Sequence, residues 1–258
     1  MPSILLHIEN KVATITLNRP DKLNSFNREM ALLLQSKLDE CASLHEVRSI
    51  VISGAGKAFS AGQDLAEIGG PNPPPMTQIL SEHFNPIVTR IRNLPKPVIA
   101  AVNGVAAGAG ANIALCCDIV VASHSASFIQ AFSKIGLVPD SGGTYFLPRL
   151  IGWQKASALM MLGEKLSASD AERSGMIYKT FPDAEFAKAS MELALQLAAL
   201  PSLGLSLTKH ALNYSFVNSL EDQLRTEDEL QQKASDTFDF REGVAAFMEK
   251  RQPKFNTQ

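Results

Sequence analysis

Apolar residues alternate with polar ones, or gather in short runs, at Ile4–Ile8, Val12–Leu17, Ser49–Ser53, Val98–Val102 and Ile119–Ala122, and these segments predict β-strands. Between them the spacing becomes helical. Met30, Leu34, Leu38 and Cys41 form one stripe, and Ile79, Phe84, Ile87 and Ile91 form a looser one. Strands interleaved with helices predict an α/β layered core. After Ala122 the strand signals thin out and a helical tail is expected. In that tail Ser167 with Asp170 marks a helix start and Gly175 its left-handed stop. Asp239 with Glu242 marks a second capping box ahead of Val244–Met248. There are no long repeats, and the run Gly69-Gly70-Pro71-Asn72-Pro73-Pro74-Pro75 reads as a loop.

Composition narrows the classes of function. Of the 258 residues 45% are apolar and 19% charged, enough for a packed core and ordinary for a globular protein. A formal charge of −2 leaves no basic excess to draw nucleic acid, and no Lys/Arg run suggests a membrane surface. The most apolar stretch, Pro97 to Ala122, is broken by Asn103, Gly108, Gly110 and Asp118, so no membrane span is expected. Met1 to Val12 lacks the apolar run of a secretion signal. Cys41, Cys116 and Cys117 are odd in number and lack C-x-x-C spacing, which suits a reducing, cytoplasmic setting. His7, His45, His124 and His210 show no ligand spacing, and no metal is expected.

Two glycine-containing segments carry the candidate chemistry: Lys57-Ala58-Phe59-Ser60-Ala61-Gly62-Gln63-Asp64-Leu65, and Val102-Asn103-Gly104-Val105-Ala106-Ala107-Gly108-Ala109-Gly110-Ala111-Asn112. Gly56-Lys57 lacks the earlier Gly and the Ser/Thr of a phosphate-binding loop. Gly108 and Gly110 lack the third Gly of a dinucleotide fingerprint, because position 113 is Ile. Two readings remain for the second segment. Its small residues permit close packing of a helix on a strand, and its helix start offers unpaired N–H groups to a developing oxyanion.

The pair Phe59–Leu65 and Ala101–Asp118 resembles the crotonase family, also called the enoyl-CoA hydratase/isomerase family. Supporting matches are Leu17-Asn18-Arg19-Pro20 with Asn24-Ser25, Pro139–Thr144, and Glu242-Gly243 through Phe247, Lys250 and Arg251. They run almost end to end. The resemblance implies an α/β fold of repeated β-β-α units forming a spiral core over residues 1–198. A C-terminal helical region over 199–258 is implied to build a homotrimer, or a hexamer as a dimer of trimers. It implies an acyl-CoA substrate with no separate cofactor, and oxyanion donors at the N–H groups of Gln63 and Ala109. Ala61, Asp64, Leu65, Asn112, Lys22 and Leu23 would line the substrate, and Phe247 and Lys250 would reach the CoA of a subunit, a neighbour's included. Arg19 is a further candidate for the CoA phosphates.

The acid/base positions separate the family's reactions. Hydratases of this family carry two glutamates, and here the matching positions are Asn112 and Phe132. Asn cannot transfer a proton near neutral pH and Phe cannot orient water. Asp140 remains, where family members that shift double bonds carry an acid. By its residues alone Asp140 reads first as a helix cap before Ser141-Gly142-Gly143, and the family resemblance reverses that order. Beside Phe132, Ile135 and Leu137 it would be desolvated and its pKa raised. One base suits isomerisation: it removes a proton next to the thioester or at the γ-carbon and returns it at the other end of the dienolate. Within the family, Phe132–Asp140, Val102–Ala111 and Arg241–Val244 resemble the ring-epoxide isomerases of bacterial phenylacetate degradation, which form an oxepin and also shift double bonds. Phe59, Phe132 and Tyr145 would suit a flat ring. The other activities considered are hydration, CoA-ester hydrolysis or dehalogenation with Asp140 as nucleophile, and CoA-ester binding without catalysis. His83 is a candidate for the acyl pocket or for a structural role.

Overall fold

The fold is that of a computed structural model and is described for residues 1–255. Strands β1 (Ile4–Glu9) and β2 (Val12–Leu17) form an antiparallel hairpin. Its turn residues Asn10 and Lys11 both have positive φ, the geometry that matches strand twist across a two-residue loop. Helix α1 (Arg28–Ser43) starts at Asn27, whose side chain accepts from the Met30 N–H, and it buries the expected stripe Met30, Leu34, Leu38 and Cys41.

From β3 (Ser49–Gly54) onward the chain repeats one move. A strand enters a large sheet, the next strand enters a small one, and helical segments return. The pairs are β3 with β4 (Ala58–Ser60), β5 (Val98–Val102) with β6 (Val105–Ala107), and β7 (Ile119–Ser123) with β8 (Ser127–Ile129). After β4 come α2 (Leu65–Ile68), α3 (Met76–Gln78), a π-helical turn at Ile79–Phe84 and α4 (Asn85–Asn93). After β6 comes α5 (Ala109–Leu115), and after β8 come α6 (Gly143–Ile151) and α7 (Trp153–Leu162). Then β9 (Lys165–Ser167) closes the small sheet, and β10 (Lys179–Phe181) follows α8 (Ala168–Arg173) onto the large one. The sheet orders are β1-β2-β3-β5-β7-β10 and β4-β6-β8-β9. Strands β1 to β10 and helices α1 to α8 thus form the expected spiral of β-β-α turns, and helices α9 (Asp183–Ala199), α10 (Ser202–Ser215), α11 (Leu220–Ser235) and α12 (Phe238–Met248) follow.

The expectation that strands thin out after Ala122 is corrected by β8, β9 and β10, each three residues long and too short to show a period. Ser167 caps α8 through the Asp170 N–H, and Gly175 follows with φ +77, both as expected. The second capping box shifts. Thr237 Oγ1 accepts from the Phe240 N–H and starts α12 two residues early, so Asp239 lies inside the first turn. Glu242 turns instead to Arg251, at 2.6 and 2.9 Å. Helix α10 docks on the core through buried Lys209, whose Nζ donates to Asp118 at 2.7 Å and to the Ile91 and Lys96 carbonyls. No single described helix is long and apolar enough to cross a membrane.

Candidate active site

The two glycine segments are pressed together by their lack of side chains. A Cβ on Gly62 would stand 2.8 Å from the Ala107 carbonyl oxygen and 3.2 Å from the Ala109 nitrogen, and its φ of +87° also excludes most residues. A Cβ on Gly110 would stand 2.5 Å from the Ser60 carbonyl. Close packing is therefore real, and it places Gln63 N–H and Ala109 N–H beside one cavity. Gln63 bridges Phe26, but the bonds of that bridge run through the Gly62 carbonyl and the Asp64 N–H, and Ala109 is the first residue of α5, so no described backbone bond uses the N–H of either residue. Asn24 braces the first segment: its Nδ2 donates to the Ala55 and Ala58 carbonyls, and its Oδ1 accepts from the Arg19 N–H.

The cavity holds about 180 Å³. It is lined by Ala61, Leu65, Ile68, Met76, Ile79 and Phe84 from the segment after β4, and by Gly108, Ala131, Phe132, Ile135 and Leu137 from the segments after β6 and β8. Gln63, Ala109, Lys134 and Asp140 complete it, and Asp140 is the one carboxylate among the lining residues. A larger groove of about 800 Å³ opens between α10 and α11, but the acids that line it, Glu227 and Asp228, are exposed.

Asp140 does not cap α6. That helix begins at Gly143 after Gly142, with no side-chain cap, and the Asp140 carboxylate instead accepts from Ser141 Oγ at 2.8 Å. Burial pushes its carboxyl above the ordinary carboxylate range, and the Ser141 bond pulls it part of the way back. The acid is carried on a tight turn in which Ser141 (φ +52) and Gly142 (φ +76) are both left-handed.

Not every expected site residue reaches this cavity. Asn112 is fully buried and absent from the lining; its Nδ2 donates to the Asp140 carbonyl, and its Oδ1 accepts from Gln130. Asp64 is spent on Arg19 at 2.9 Å and on the α2 N-cap, which also removes Arg19 as a free phosphate partner. Leu23 joins the site edge through its carbonyl, which accepts from the Ala61 N–H, and neighbouring Lys22 is exposed. Tyr145 packs edge-on against Phe146 and Phe216, with the Arg149 guanidinium over its ring, and does not line the cavity. Phe59 is core, so of the three aromatics only Phe132 faces the cavity. Phe247 and Lys250 lie on the surface at the end of α12, Phe247 with 82% of its area exposed and in a separate apolar groove.

The sequence reading did not assign Ile68, Met76, Ile79, Phe84, Ala131 and Lys134 to the cavity. Ile79 and Phe84 were legible only as part of a core stripe, since a π turn shifts the faces of a helix in a way periodicity does not reveal. His83, in that same turn, is buried with neither ring nitrogen hydrogen-bonded, and desolvation lowers its pKa.

A family model described as enoyl-CoA hydratase/isomerase matches residues 7–258. The 1,2-epoxyphenylacetyl-CoA isomerase of Escherichia coli is 47% identical, over 99% of this chain and 98% of its own length. A protein of Rhodobacter capsulatus named as a probable enoyl-CoA hydratase is 42% identical, over 98% and 97%. The crystal structure of an enoyl-CoA hydratase from Bacillus anthracis superposes with a TM-score of 0.92 at 32% identity, covering 99% of this chain and all of that one.

Proposed function

The chain belongs to the enoyl-CoA hydratase/isomerase family, and on that ground we propose that it is an acyl-CoA isomerase with Asp140 as its acid/base. The thioester oxygen sits between the N–H groups of Gln63 and Ala109, which stabilise the enolate as charge moves onto that oxygen. Asp140 takes a proton from C2 or C4, the electron pair passes into the dienolate, and the same carboxyl returns the proton at the other end. Nothing is added or lost.

The observation that carries this reading is a single desolvated carboxylate in a cavity whose remaining lining is apolar except for Gln63 and Lys134. A base whose pKa is raised toward the working pH both accepts and returns a proton readily. Water addition needs a second group to orient the water, and the positions that would supply it hold a ring, Phe132, and an amide turned away from the cavity, Asn112. The 47% identity to the ring-epoxide isomerase supports a substrate of that class, with Phe132 against the ring. Converting a ring epoxide to an oxepin is likewise an isomerisation with unchanged atom count. The buried free thiols suit a cytoplasmic setting.

We propose further that residues 199–258 form an oligomerisation region. Its support is the run of exposed apolar side chains Phe238, Phe240, Val244, Phe247 and Met248, more than an isolated chain leaves to water. A trimer, alone or as half of a hexamer, brings Phe247 and Lys250 to a neighbour's CoA.

The deciding experiment incubates the protein with ring-epoxide, 3-enoyl and 2-enoyl CoA esters in deuterated water and identifies the products. Oxepin formation or a shifted double bond with deuterium at C2 or C4 is expected. Hydrated product from the 2-enoyl ester with no isomerisation would overturn the reading, and so would full turnover in Asp140→Asn.

A further inference from the structure

Asn112 stands one turn after the Ala109 donor on α5. Both ends of its buried amide are used. Nδ2 donates to the Asp140 carbonyl oxygen at 2.8 Å, and Oδ1 accepts from Gln130 Nε2 at 2.8 Å. The Asp140 carbonyl can only accept, so it must meet the amide nitrogen, and the Gln130 N–H then meets the oxygen. The same Asp140 carbonyl accepts the Gly143 N–H at 2.8 Å. Between those anchor points Ser141 and Gly142 hold left-handed backbone, a geometry that persists only when its surroundings fix it. The packing leaves no slack, since a Cβ on Gly143 would stand 2.3 Å from Asn112 Nδ2.

We propose that Asn112, whose amide oxygen is held by Gln130, is a positioning residue for the isomerisation: it ties the main chain of Asp140 to the helix whose first residue is the Ala109 donor. The bond sets the carboxylate relative to the thioester oxygen, across two segments 28 residues apart that no shared element connects. This rests on Asp140 being the acid/base. It also gives the amide a use that contact with substrate does not, because Asn112 is outside the cavity lining.

The test compares Asn112→Ala, Asn112→Asp, Gly143→Ala, the double variant Asn112→Ala/Gly143→Ala, and Asp140→Asn. Asn112→Asp keeps the volume and loses the donor, so it covers the case in which the alanine variant folds poorly. A displacement of about 1 Å at the base lowers kcat roughly 10- to 100-fold. KM for the CoA ester should stay within about twofold, since the cavity walls and the two N–H groups are unchanged, and deuterium entry at C2 or C4 should slow by the same factor as kcat. The acid limb of the kcat profile should move to lower pH as the carboxylate gains water. Gly143→Ala should reproduce the kcat loss by forcing the amide aside, and the double variant should be no slower than Asn112→Ala alone. A wild-type kcat and pH profile in both Asn112 variants below their melting temperatures, with Asp140→Asn inactive, overturns the positioning role alone. Losses that multiply in the double variant also overturn it. Full activity in Asp140→Asn removes the acid/base reading and this proposal together.

Discussion

Gly62 lies so close beneath Ala109 that a methyl group on it would stand 3.2 Å from the Ala109 nitrogen, with the Ala107 carbonyl oxygen closer still at 2.8 Å. The backbone at Gly62 is left-handed as well, at φ +87°. One residue later comes the Gln63 N–H, so the spacing of the two donors is set by a contact that only glycine allows.

Gly62→Ala should therefore separate the donors. Losing one such donor costs about 2.7–4 kcal/mol of transition-state stabilisation, or roughly 10²- to 10³-fold in kcat. Steady-state kinetics on an enoyl-CoA, with circular dichroism to show that the variant folds, checks it. Near-normal kcat in folded Gly62→Ala would mean that the donors are elsewhere.

Asp140→Asn should be inactive and more stable than the parent at neutral pH. Burial raises the carboxyl's pKa, so the folded protein keeps a proton that the unfolded chain has already lost. Folding stability then falls as pH climbs through the folded-state value and stays lower above it. Below about pH 4 both states are protonated and the two proteins should converge. Urea melts of the pair between pH 3.5 and 8 measure the difference, and a parent more stable than Asp140→Asn at pH 8 would contradict it.

His83→Phe addresses the opposite sign. The His83 ring is buried without partners and its pKa is lowered, so the unfolded chain takes up a proton near pH 6.5 that the folded protein refuses. Stability is present above that range and is lost as pH falls through it. The Phe variant should show a shallower loss between pH 7 and 5 and no penalty at pH 7, since no hydrogen bond is removed. Thermal melts across that interval read the slope, and equal slopes in the two proteins would count against a neutral buried ring.

Asp118→Ala should be among the most destabilising single changes. Asp118 accepts from Lys209 at 2.7 Å, from Arg92 at 3.3 Å and from the Val98 N–H at 2.8 Å. Lys209 is 7% exposed and would be left as a buried cation without its counter-charge, a loss of about 3–5 kcal/mol. Denaturant unfolding measures it. Asp118→Ala/Lys209→Met should recover much of the loss by removing the stranded charge.

Phe247→Asp tests the oligomerisation region. A charge in the centre of an apolar contact is strongly unfavourable, so the assembly should dissociate on light scattering, and activity should fall if a neighbour's α12 completes the CoA site. An unchanged mass and unchanged turnover would place the contact elsewhere.

Much of this protein was legible without coordinates because the relevant signals are local. Period-two and helical spacing located β1, β2, β3, β5, β7 and α1, since side-chain direction repeats along a single element. The family was legible in two glycine segments because close backbone approach tolerates few residue types, so the sequence there is tightly restricted. Asp140 stood out for what the matching positions lacked. Other features depended on segments distant in the chain. The strands β8 to β10 are too short to carry a period and exist because neighbouring strands pair with them. Asn112 was expected to face substrate, whereas folding turns its amide onto the main chain of Asp140. Tyr145 was expected in the site, whereas its position on α6 places it against Phe216 of the C-terminal region. Sequence alone determined the family and most of the large sheet and singled out Asp140 as the candidate acid, because each is written in residues close together in the chain. Only the tertiary structure decided which side chains reach the cavity and what holds the acid in place, because hydrogen-bond partners and desolvation are properties of segments that meet in space.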